Sequence, residues 1–109
     1  MAETRTEETK RLEMQAIFEE VLGSEEVYFQ PPETLKMSYP SIRYVRASAR
    51  TFKSDDALYH FRQGYTVTLI EYDPDSDLAK RLLDIFKFAR IDSYYRSDGL
   101  NHTKMTIYY

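Results

Sequence analysis

RQGYTVTLIEYDPDSDLAKRLLDIF, residues 62–86, holds the two clearest structural signals of the chain, joined by one short turn. Tyr65, Val67 and Leu69 alternate with Thr66, Thr68 and Ile70. This period-2 pattern of aromatic and β-branched residues predicts a central strand. The run Asp73-Pro74-Asp75-Ser76-Asp77 comes next. There Asp73 is placed to cap free backbone N–H groups, Pro74 sits where its missing N–H costs nothing, and the acids meet the positive end of a helix. A helix is expected to start at this run. Leu78, Leu82, Ile85 and Phe86 recur at spacings of four and three, with Ala79 and Leu83 widening the stripe, so one helix face is built to lie on a sheet.

Upstream, residues 6–22 read as an amphipathic helix. Met14, Ile17, Phe18, Val21 and Leu22 share one face, with Leu12 nearby, and Glu7, Glu8, Lys10, Glu13, Glu19 and Glu20 fill the other. Gly23 supplies the stop, since glycine takes the left-handed conformation at low cost. Val27-Tyr28-Phe29-Gln30 is a short strand closed by Pro31-Pro32, which blocks ladder hydrogen bonds and places the strand at an edge. A second strand spans residues 41–49, with Ile42 and Tyr44 on one face and Arg43, Val45 and Ala47 on the other. Residues 50–58 have few apolar anchors and are expected to form a mobile loop that interrupts an antiparallel pair. The return strand is residues 59–72. Beyond the second helix, residues 91–96 and 103–109 form a hairpin joined by Ser97-Asp98-Gly99-Leu100-Asn101, a run tolerant of positive φ. The fold class is therefore α+β, a mainly antiparallel sheet with two helices packed on one face, in the order α-β-β-β-α-β-β.

At 109 residues the chain is expected to be one domain, 1–109, with residues 1–5 disordered. It has no cysteine, which excludes disulfides, thiolate chemistry and cysteine-based metal sites. No apolar run reaches the roughly 18 residues of a membrane-spanning helix and the N-terminus lacks a signal-like apolar core, so a soluble chain without membrane contact is expected. Ten tyrosines and no tryptophan are present. Packing on strand faces accounts for most of them, and the surplus fits a surface that meets protein partners. The net charge of −3 gives no reason to expect sequence-specific nucleic-acid binding. It is unevenly spread: residues 1–26 carry eight acids and three bases, residues 27–109 ten acids and twelve bases. An acidic surface at one end can meet a basic one head to tail, or can be a solvated helix face.

Chemistry-bearing patterns are sparse. His60 and His102 belong to no spaced metal motif and have no evident nucleophile partner. Asp73, Asp75, Asp77 and Asp84 fall at positions 1, 3, 5 and 12 of a calcium loop, yet Leu78 stands where the loop needs glycine. Gly23, Gly64 and Gly99 are too scattered to cradle a phosphate. Arg43, Tyr44, Arg46, Arg50, Phe52 and Lys53 interleave bases with aromatics, as single-strand binders do, but without a recognisable RNA-binding signature. No catalytic, cofactor-binding or metal-binding residue is assigned, and no cofactor is expected.

Several short strings resemble one group of proteins when taken in order. Val27-Tyr28-Phe29-Gln30-Pro31-Pro32, Met37-Ser38-Tyr39-Pro40, Tyr65-Thr66-Val67-Thr68 followed by Asp73-Pro74-Asp75-Ser76, and the ending from Leu100-Asn101-His102 to Ile107-Tyr108-Tyr109 resemble small proteins encoded among the head-to-tail genes of long-tailed phages and prophages of Gram-positive bacteria. The likeness spans most of residues 27–109. It implies a virion neck or tail-completion protein, similar to tail terminators and tail-to-head joining proteins, which form a homo-oligomeric ring, commonly of six copies, that caps the tail tube and joins it to the head connector. It also implies a place in the host cytoplasm during assembly and in the virion afterwards, with tail-tube and head-connector proteins as partners. A closed ring uses two different patches of each subunit. The candidate interface residues are Tyr28, Arg46, Arg50, Phe52, Lys53, Asp55, Asp56, Tyr108 and Tyr109. The competing reading is a small adaptor or regulatory module that binds one protein. An enzyme ranks third, since no spacing predicts a pocket of convergent polar groups.

Overall fold

The computed structural model describes residues 7–53 and 59–109, with side chains described except at positions 7, 52, 53, 59 and 60. Its elements run α1 (Glu7–Leu22), β1 (Val27–Phe29), β2 (Ser41–Lys53), β3 (Tyr59–Glu71), α2 (Leu78–Ile85), β4 (Ala89–Ser97) and β5 (Leu100–Tyr108). This is the expected order. The strands form one sheet, β1-β2-β3-β5-β4, in which the β1–β2 pair is parallel and the others are antiparallel. Residues 1–5, expected to be disordered, lie outside the described residues.

Register explains the core. Ile42, Tyr44, Val67, Leu69, Met105 and Ile107 occupy one face, since Ile42 pairs with Leu69, Tyr44 with Val67, and Val67 with Met105. Both helices cover that face. Met14, Phe18 and Val21 of α1, with Leu82 of α2 and Phe86 beyond it, join the same buried cluster. Phe18 sits at the junction, fully buried, its ring 5.6 Å from Tyr44 and 5.5 Å from Phe86. Tyr44 keeps its hydroxyl satisfied inside: it donates to Gln15 Oε1 at 2.7 Å and accepts from Arg11 Nη1 at 3.3 Å. Burial raises its pKa, with the Arg11 interaction opposing that shift.

Gly23 ends α1 as expected, with φ +74° and N–H groups of Gly23 and Ser24 both donating to the Glu19 carbonyl. Three boundaries differ from the sequence reading. Residues 50–53 continue β2 instead of opening a loop, because a bulge puts Ser48 and Ala49 opposite Gln63 alone and pairing resumes at Arg50 with Arg62. The remainder of the expected mobile loop, residues 54–58, lies outside the described residues. Helix α2 begins at Leu78, not at Pro74. The Asp73 carboxylate accepts from Asp75 N at 2.9 Å and the Ser76 hydroxyl from Leu78 N at 3.1 Å, so the acidic run forms side-chain turns that defer the helix. The terminal hairpin is tighter than expected. Ser97 pairs directly with Leu100, and Asp98 (φ +54°) with Gly99 (φ +76°) forms a two-residue turn of the primed type.

Candidate interaction surfaces

The expected interface residues do not form one patch. Arg46 and Arg50 are exposed, and Arg50 starts a two-stranded ribbon made by residues 50–53 of β2 and 59–63 of β3. Strand β5 pairs with β3 only from Gly64 to Glu71, so the ribbon runs past the sheet. Thr51 and Phe61 on it are exposed. Phe52 and Lys53 belong to the same ribbon by backbone, whereas Asp55 and Asp56 lie outside the described residues. Tyr28 is half-buried at the β1 edge, donating to Glu26 Oε2 at 2.5 Å, and that hydrogen bond raises its pKa.

The C-terminal pair turns inward. Tyr109 packs against the core with its ring 5.8 Å from Phe86, its N–H donates to the Gln63 carbonyl, and its hydroxyl reaches Glu13 Oε2 at 3.4 Å. Tyr108 is half-buried and lies over Gly64. Both tyrosines are half-buried and hold the chain end to the body. The tyrosine surplus divides by position: Tyr44 and Tyr65 are buried, while Tyr72, Tyr94 and Tyr95 are strongly exposed. These three were read as strand residues and not as candidate interface residues. Tyr94 and Tyr95 lie on β4, an edge strand with little cover, and Tyr72 follows the end of β3.

Two concave sites flank this edge. A cleft of about 690 Å³ opens between the turn before α2 and the β4–β5 hairpin, lined by residues that include Glu71, Lys80, Tyr94, Tyr95 and His102. Glu71 is buried, and desolvation raises its carboxyl pKa, opposed by the hydrogen bond from Ser76. Its chain position is secured by Asn101, whose amide donates to the Tyr72 carbonyl at 3.0 Å. His102 stacks on Tyr95 with ring centroids 4.6 Å apart. A smaller hollow of about 240 Å³ on the opposite flank is lined by Arg50, Lys87, Phe88, Arg90, Thr106 and Tyr108. Phe88 receives two cations, Arg62 at 4.9 Å and Lys87 at 5.4 Å from the ring centre. Arg90 is engaged by Asp92 at 2.9 Å, and Asp92 in turn accepts from Thr106 at 2.6 Å. These hydrogen bonds hold the Asp92 carboxyl below the usual range.

The interleaved bases and aromatics do not share a surface. Arg43 and Tyr44 are neighbours in a strand and so face opposite ways, and Tyr44 is 1% exposed within the core. Among the described residues no group of three His, Asp or Glu side chains is placed to hold a metal ion, and the acidic run before α2 is occupied by its own turns. Among the described residues no helix is long and apolar enough to cross a membrane. No family model, no curated protein and no solved structure matches the chain.

Proposed function

We propose that the chain is a non-enzymatic subunit of phage virion assembly, forming or joining a ring at the head-tail interface that terminates the tail tube and connects it to the head. The observation that carries this reading is the ribbon, which extends past the sheet with Arg50, Thr51 and Phe61 exposed. A two-stranded ribbon is at best marginally stable by itself in water, so it gains most when a partner surface receives it. The sheet edges add support. One edge is the three-residue β1 and the other is the nine-residue, tyrosine-bearing β4, so each subunit carries unlike surfaces of the kind that head-to-tail contacts use. In this reading the partners are further copies in a ring of six, the tail-tube protein and the head connector. The protein acts in the host cytoplasm during assembly and stays in the virion neck.

Deleting residues 51–57 tests the reading. The shortened subunit is expected to keep its circular dichroism and cooperative unfolding, while tails and heads mixed with it stay separate in negative-stain micrographs. Normal joining by the deletion variant would sink the proposal. A variant and wild type that both remain monomeric and capture one soluble partner, without binding tail ends, would favour the adaptor reading.

A further inference from the structure

Helix α1 has an outer face with a definite composition. Met14, Phe18 and Val21 point into the core, so the 3.6-residue period puts Leu12 and Ala16 on the far side, and both are exposed. Glu8 and Glu19 flank that strip on one side, Glu13 and Glu20 on the other. The helix's Arg11 is turned inward, its guanidinium 4.2 Å from the centre of the Phe29 ring. What faces outward is a narrow apolar strip between two rows of glutamates.

The sheet face away from the helices has the reciprocal pattern. Register aligns Arg43, Thr68 and Lys104 in one row and Val45, Thr66, Thr106 and Arg90 in the next. Val45 is 43% exposed and the threonines are half-exposed, giving a flat centre of small side chains. Arg43 and Lys104 stand on either side of it, with Arg62 and Arg90 toward the ribbon. Within β2 to β5 the one acid on this face among the described residues is Asp92, already bound to Arg90 and Thr106.

We propose that these two surfaces mate between copies of this chain: the outer face of α1 from one subunit docks on the central, solvent-exposed part of the opposite sheet face of the next, Leu12 and Ala16 over Val45 and the threonines, glutamates toward Arg43 and Lys104, clear of the row at Ser41 and Ile70, which is buried. The inference rests on the assembly reading and names the contact that would propagate its ring. The two surfaces lie on opposite sides of the subunit, so the contact is heterologous and repeats head to tail. The sizes agree. A helix of 16 residues is about 24 Å long, and five strands are about 24 Å wide. A footprint of that length and one helix diameter falls well short of the roughly 800 Å² per partner of a standard interface, so one contact is weak and ring closure makes it persist.

A charge swap tests the contact in the full chain. One variant carries Arg43→Glu and Lys104→Glu, a second Glu8→Lys and Glu20→Lys, all at surface positions. By sedimentation at low salt, near 50 mM, wild type is expected to self-associate with increasing concentration and to lose association at high salt. Each variant alone is expected to associate at least about tenfold more weakly, and their equimolar mixture to recover, because every interface in an alternating assembly again pairs opposite charges. Wild type that stays monomeric at low salt, variants that associate like wild type, or a mixture no better than its parts would each overturn the proposal. A head-to-tail joining assay separates the two readings. Joining that depends on the protein but ignores both charge reversals would refute this contact alone, whereas rescued mating by a protein dispensable for joining would refute the assembly reading and leave the contact standing.

Discussion

Replacing Gly64 by alanine should damage the device that aims the ribbon. A Cβ there would stand 2.3 Å from the Ser48 carbonyl oxygen and 3.0 Å from the Tyr108 ring. The first obstacle is backbone, held in the bulge where Ser48 and Ala49 oppose Gln63. Gln63 is itself buried, and its amide donates across the strands to the Ala47 carbonyl as well as to its neighbour Gly64, so the bulge cannot slide without breaking the bond to Ala47. Gly64 lies outside the left-handed region, so close approach and not backbone freedom is the reason for glycine. Overpacking of this kind costs about 1–3 kcal/mol, while the loss of unfolded-chain entropy returns about 0.4–1 kcal/mol. The net is a destabilisation of about 1–2 kcal/mol. With a urea slope of about 2 kcal/mol/M, mid-range for a small domain, the unfolding midpoint should fall by roughly 0.5–1 M at unchanged slope. A Gly64→Ala protein as stable as wild type would refute the reasoning, because the bulge carbonyl would then have somewhere to go.

Phe18→Ala removes the ring between α1, α2 and the sheet and should cost about 3–5 kcal/mol by urea unfolding, and a loss under 1 kcal/mol would show that the helices do not meet there. Gly99→Ala meets no neighbouring atom but must hold φ near +76°, so a milder loss of roughly 1–2 kcal/mol is expected, with the strongest rise in amide exchange at the hairpin tip. Burial raises the Glu71 pKa above 4.5 in the folded protein, so protonation favours folding: the stabilising contribution is full below the unfolded value and is lost as pH rises through the folded one. Glu71→Gln should therefore gain stability relative to wild type as pH rises above that range, and a stability difference independent of pH would contradict the burial of its charge.

The architecture was readable where one rule acted alone. Alternation at residues 65–69 and the stripe through Leu78, Leu82 and Phe86 each had a single physical explanation, and the structure places both in one core. Where two rules competed, the pattern misled. Residues 50–53 offer Phe52 alone as an apolar anchor and read as loop, yet the bulge restores register and the hydrogen-bond ladder carries them as strand. Asp73 is a good helix cap by residue type, but its carboxylate is used two residues on, and the helix waits until Leu78. The candidate interface residues also differ in how far their placement was legible. Arg46 and Arg50 are exposed as a polar strand edge requires, while Tyr109 carries no sequence mark to distinguish a protruding ring from one that packs on Phe86. The cation cluster around Phe88 gathers residues from four elements and the segment between α2 and β4, so it becomes visible only with the sheet assembled.

The most direct test of the assembly role is to add the purified protein to isolated tail tubes and count its copies and position by electron microscopy, with mass by light scattering. A discrete ring of several 13.0 kDa subunits seated at one end of each tube is the expected result. Tubes whose ends stay bare, or that carry single copies scattered along their length, would contradict the account.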